Sequence, residues 1–98
     1  MTKIKDYWQN YLDGEWVDGG AGRLDVFNPG TGEKLAQQAI ADAADVDRAV
    51  QGAKRMHLSG ALADLRPVER GRMVQGMGRY LLDNIDDIAP VLTSEQGK

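Results

Sequence analysis

Near residue 42 the apolar residues of this chain change their period, and that switch restricts the fold to strands first and helices second. Upstream, glycine and proline recur every few positions and the apolar stretches are short. Downstream, apolar residues return every three or four positions, the spacing of one helix face. In Tyr11-Leu12-Asp13-Gly14-Glu15-Trp16-Val17, Asp-Gly stands between two short apolar pairs. The dipeptide suits a type I′ turn, whose two central residues need positive φ, so a tight hairpin is predicted. Gly19, Gly20 and Gly22 make a flexible connection. A second hairpin follows, with Leu24, Val26 and Phe27 on one arm and residues 35–41 on the other. Its turn is Asn28-Pro29-Gly30-Thr31-Gly32, where proline presets one φ and the glycines permit left-handed backbone.

The remainder predicts three helices. Asp42 is the expected N-cap of the first, with Asp45 as the acidic partner near its positive end. Val46, Ala49, Val50, Ala53 and Met56 or His57 give it one apolar face, and Ser59-Gly60 ends it. Pro67 starts the second, at a position where its missing N–H costs nothing. Met73, Val74, Met77, Tyr80, Leu81 and Ile85 are expected to form a buried stripe there. Gly71, Gly76 and Gly78 weaken that helix by roughly 1 kcal/mol each relative to alanine, so close packing on a neighbour is expected. Asn84 is expected to cap a third helix, with Asp86 and Asp87 in its first turn and Ile85, Ile88, Ala89 and Leu92 inward. Pro90 should distort its middle. The fold class is therefore α+β: two short hairpins, then about three amphipathic helices.

Ninety-eight residues allow one small domain at most. A net charge of −3 with scattered basic residues gives no bulk attraction to nucleic acid or anionic lipid. Arg66, Arg70 and Arg72 read as a solvated helix face. Residues 1–10 are polar and read as an N-terminal extension without the apolar core of a signal peptide. No apolar run approaches the ~20 residues of a membrane span, so the cytoplasm is the expected location.

Catalytic groups are scarce. There is no cysteine, which excludes disulfides, thiolate metal sites and thiol nucleophiles within these residues. His57, the only histidine, reads as a partly buried or helix-ending residue rather than a base or ligand. Adjacent Asp86 and Asp87 point in different directions on a helix, so capping explains them. Gly20-Ala21-Gly22 begins like a dinucleotide fingerprint, but its third glycine position holds Asp25. Gly30-Thr31-Gly32 meets Leu35 at the same point. Neither leads from a strand directly into a helix, the context that gives the fingerprint meaning. Tyr7, Trp8, Tyr11 and Trp16 read as packing residues of a hairpin, with an edge against another subunit as the alternative. From the residues alone this is a soluble module with no visible active site.

Five local patterns, in order, resemble the aldehyde dehydrogenase family over about residues 11–98. Tyr11 to Val17 is similar to the family's opening hairpin. Val26-Phe27-Asn28-Pro29-Gly30-Thr31-Gly32-Glu33 is similar to its Asn-Pro-Ala-Thr-Gly-Glu turn, with Gly30 in place of alanine. Ala44-Asp45-Val46-Asp47-Arg48-Ala49-Val50 resembles the start of its first helix. Pro67-Val68-Glu69-Arg70 resembles the Pro-x-Glu-Arg opening of the next. Ser94-Glu95-Gln96-Gly97-Lys98 resembles the Glu-x-Gly-Lys close of the third. The chain departs from the family at Leu62, where tryptophan is usual, at Arg66, where Ser or Thr commonly caps, and at Pro90.

The resemblance implies oxidation of a small aldehyde to a carboxylic acid with NAD or NADP as cofactor, through a cysteine thiohemiacetal. It places this segment in the α/β cofactor-binding domain of a homo-dimer or homo-tetramer. The nucleophile, the water-activating glutamate and the cofactor-binding residues all lie downstream in the family, so no catalytic or cofactor-binding residue is assigned here. Some members bind a monovalent cation between main-chain carbonyls before the Asn-Pro turn and an acidic side chain before Gly-Lys. The matching positions are Val26, Phe27 and Glu95, and oxygen donors suit a hard cation. Lys98 falls mid-motif, so residues 1–98 are expected to be an incomplete N-terminal part that is inactive alone. The alternative is a free-standing, non-catalytic interaction module derived from the family.

Overall fold

The computed structural model describes residues 4–98; Met1, Thr2 and Lys3, the start of the expected extension over residues 1–10, lie outside the described residues. The elements are β1 (Tyr7–Trp8), β2 (Asn10–Leu12), β3 (Glu15–Val17), β4 (Arg23–Phe27), β5 (Lys34–Ala39), α1 (Ala43–Leu58), α2 (Pro67–Asp83) and α3 (Ile85–Gln96). Both hairpins and all three helices expected from the pattern are present. β2 and β3 pair antiparallel with Tyr11 opposite Trp16, their ring centroids 5.0 Å apart. Asp13 at φ 51° and Gly14 at φ 81° supply the two left-handed residues that the tight turn demands.

The second sheet has the order β1-β5-β4. β4 and β5 are antiparallel, with a bulge between Val26 and Phe27. In their turn the Asn28 side-chain oxygen accepts from the Gly30 and Thr31 amides at 2.8 and 3.3 Å. The Gly32 amide donates to the Asn28 carbonyl at 2.7 Å. β1 was not foreseen: within the stretch read as an extension, Tyr7 and Trp8 pair parallel with Gln37 and Gln38 of β5. Two residues are too few to show a period, so only a long-range partner reveals this strand. The Tyr7 hydroxyl donates to Asp18 at 2.7 Å, which raises the Tyr7 pKa and lowers that of Asp18.

α1 begins with the predicted capping box. The Asp45 amide donates to the Asp42 carboxylate at 2.8 Å, and the Asp42 amide donates back to Asp45 at 2.9 Å. Gly20 N–H also donates to Asp45 at 2.8 Å, and the Gly20 and Asp42 amides hold that carboxyl below its ordinary pKa. The first hairpin is fastened to α1 by Arg55 to Asp13 at 2.5 Å and Arg48 to Glu15 at 2.8 Å. Each exposed pair is worth on the order of 0.5 kcal/mol. Gly52 lies between the two arginines, and a Cβ there would stand 2.8 Å from the Asp13 carboxylate. The turn can reach the helix only because that position carries no side chain.

Glu69 reaches back to the Arg66 amide at 3.2 Å at the start of α2, which compensates for the missing Ser or Thr cap. Asn84 stands at the junction of α2 and α3, but its side chain does not cap α3. Its amide donates to the Tyr80 carbonyl at 2.9 Å and so closes α2. With one residue between the helices, the nearest unfilled acceptors are the last carbonyls of α2. α3 spans Ile85–Gln96 with Pro90 inside it.

The expected burial is the main correction. Met73, Val74, Met77, Tyr80, Leu81 and Ile85 are between 48% and 67% exposed, so the α2 stripe has no cover among the described residues. Nothing lies within 4 Å of a Cβ built on Gly71, Gly76 or Gly78, so the expected close neighbour is also missing. On α3, Ile88 and Ala89 are half-buried, whereas Ile85 and Leu92 are exposed. Val46, Val50 and Met56 of α1 are exposed as well. The buried apolar residues among those described are Ala36 and Ala39, each 7% exposed and both on the central strand β5. Amphipathic faces form helices locally, yet they become core only when a facing layer exists, and a three-stranded sheet is too small to face three helices. The accessible surface is 7659 Å², against about 5500 Å² for a compact monomer of this mass. The radius of gyration is 16.9 Å, where a compact domain of about 100 residues has about 13 Å.

Two expectations follow for the chain in solution. Gly76→Ala in the open part of α2 should raise helix stability by about 1 kcal/mol. Gly52→Ala should gain nothing, because its Cβ displaces Asp13 from Arg55; equal gains in helicity by circular dichroism would contradict the fastening. Asp18, Asp25 and Asp45 all have lowered pKa values in the folded chain. Their contribution is therefore full above the unfolded value of ~4 and is lost as pH falls through the folded values. Acid titration should lower stability below ~pH 4, with a shallower loss in Asp45→Asn; parallel curves would remove Asp45 from the explanation.

Candidate functional site

The end of α3 returns to the turn between β4 and β5. Gly97, at φ 75°, closes the helix in the left-handed region, and a Cβ on it would lie 3.0 Å from Cγ of Pro29. This contact carries Glu95 alongside the sheet. Val26 and Glu95, two of the three positions matched to a cation site, line one cleft of about 290 Å³. Phe27 is not in its lining and is 53% exposed. Val26 and Phe27 are consecutive strand residues, so the pleat sends their side chains to opposite faces of the sheet. Gln38 joins the cleft, together with Trp8, Leu35, Ala36 and Val91. Sequence reasoning missed Gln38, and no local signal marks it: it reaches the cleft because β5 is central.

The lining thus sets one acidic residue and one amide residue among apolar and aromatic neighbours. Among the described residues, no three His, Cys, Asp or Glu side chains converge as metal ligands. His57 is exposed in the last turn of α1, in keeping with a helix-ending role.

The glycine stretches do not fit a dinucleotide phosphate. A Cβ on Gly19 would collide with the Ile40 carbonyl at 2.0 Å, and one on Gly20 with the Asp42 carboxylate at 1.9 Å. The Gly20 amide is spent on Asp45, and the Gly30 and Thr31 amides on Asn28. A phosphate cradle needs several amides free to converge on one anion, and these are already committed to carboxylate and carbonyl oxygens. The sequence contains no cysteine, so it offers no thiol nucleophile. No helix among them is long and apolar enough to cross a membrane.

Comparison with known proteins accounts for a module built in this way. The chain is 38% identical over 93 residues to malonate-semialdehyde dehydrogenase 1 of Oceanobacillus iheyensis, covering 94% of this chain and 19% of the relative. It is 34% identical over 92 residues to the 3,6-anhydro-alpha-L-galactose dehydrogenase of a Vibrio species, again covering 19% of that protein. Among solved structures, one from Sinorhizobium meliloti 1021, assigned as a methylmalonate-semialdehyde dehydrogenase and complexed with NAD, superposes with a TM-score of 0.81. That likeness has 30% identity and covers 96% of this chain and 19% of the other. The chain therefore spans about a fifth of the length of the relatives it matches. A model of the aldehyde dehydrogenase family matches residues 16–98. With the strand-then-helix order, the five ordered signatures and these likenesses in agreement, the chain belongs to the aldehyde dehydrogenase family.

Proposed function

We propose that residues 1–98 are the N-terminal part of the cofactor-binding domain of an NAD(P)-dependent aldehyde dehydrogenase. The observation that carries this reading is a likeness spanning 94% of this chain but 19% of the relative, joined to apolar helix faces that nothing here covers. The reaction proposed for the whole protein is oxidation of an aldehyde to a carboxylic acid through a cysteine thiohemiacetal, with hydride passing to NAD(P)+. Its nucleophile and its water-activating glutamate lie outside these residues. Short semialdehydes are the favoured substrates, since the relatives named above include a malonate-semialdehyde dehydrogenase. A cytoplasmic homo-dimer or homo-tetramer is the proposed assembly.

Within that protein, the residues described here act as scaffold. The hairpins, α1 and α3 fix the turn at Asn28 and the Glu95 cleft, while α2 offers apolar surface for further layers of the domain. A free-standing interaction module would have to keep the same faces covered by a separate partner, and no observation favours it. The purified 98-residue chain should show no NAD(P)+-dependent aldehyde oxidation, whereas the full-length gene product should oxidise short semialdehydes. Activity in the short chain would overturn this assignment, and so would an inactive full-length protein offered such substrates.

The Val26 and Phe27 main chain with Glu95 is proposed as part of a monovalent-cation position that residues outside this segment complete. A bound cation stabilises only the folded state, so the full-length protein should melt higher in potassium or sodium chloride than in choline chloride of equal ionic strength. A rise of about 2–4 °C is the expected scale for a protein of that size. Glu95→Gln should abolish the difference; an undiminished difference in the variant would remove Glu95 from the site.

A further inference from the structure

We draw no further inference here: the strongest candidate, the unpartnered apolar face of α2 formed by Met73, Met77, Tyr80 and Leu81, carries nothing because nothing in the structure shows what covers it.

Discussion

The ladder between β4 and β5 is the interaction from which the rest of this chain hangs. β5 pairs with β4 on one side and with β1 on the other, and it holds both of the buried apolar residues among those described. Beyond β5 the backbone bonds continue, with Ala21 donating to Ile40 at 3.0 Å and Ile40 donating to Gly22 at 2.9 Å. These bonds bring Gly20 against Asp45 and so join the sheet to the first turn of α1. Loss of the ladder would therefore free the helix start as well as the strands. Backbone hydrogen bonds carry an unusual share of the organisation because apolar burial is so small.

Each helix is correspondingly held by its ends and by polar contacts. α1 has its capping box and two arginine pairs; α2 has the Glu69 bond at its start and Asn84 at its finish. Arg70 adds a further tie by donating to the carbonyls of Leu62, Ala63 and Leu65 in the connection between α1 and α2. Contacts of this kind fix where a helix begins and how the chain enters it. They contribute far less than the apolar burial that stabilises a typical domain. The glycines of α2 make the same point, since a helix with three of them depends on tertiary packing for its stability.

What could be read from the sequence was whatever the chain decides locally. Asp13-Gly14 demands positive φ whatever surrounds it, and Asp42 with Asp45 makes a capping box from backbone geometry alone. Proline at position 67 and glycine at position 60 likewise mark boundaries without outside help. Apart from the Asn84 side chain, which turns back to Tyr80 instead of capping α3, the failures are long-range. Tyr7 and Trp8 become a strand only because Gln37 and Gln38 lie beside them. The stripe on α2 has the period of a buried face, and period cannot say whether a facing layer is present. At the candidate site, Val26 and Glu95 were legible from the order of motifs, whereas Gln38 depends on the centrality of β5. The Phe27 side chain lies outside the cleft because consecutive strand residues face opposite sides of the sheet.

Arg48 and Arg55 are seven residues apart, two turns along α1, and therefore about 10 Å apart on the helix axis. One ion pair would tether the first hairpin at a point and leave it free to swivel. Two pairs at that separation set its heading as well as its position, and a one-residue slip along the helix would turn both arginines away from their carboxylates by about 100°. The hairpin is thus referenced to one face of α1 over two turns. The paired rings of Tyr11 and Trp16 take their placement from the face of α1 that carries the two arginines.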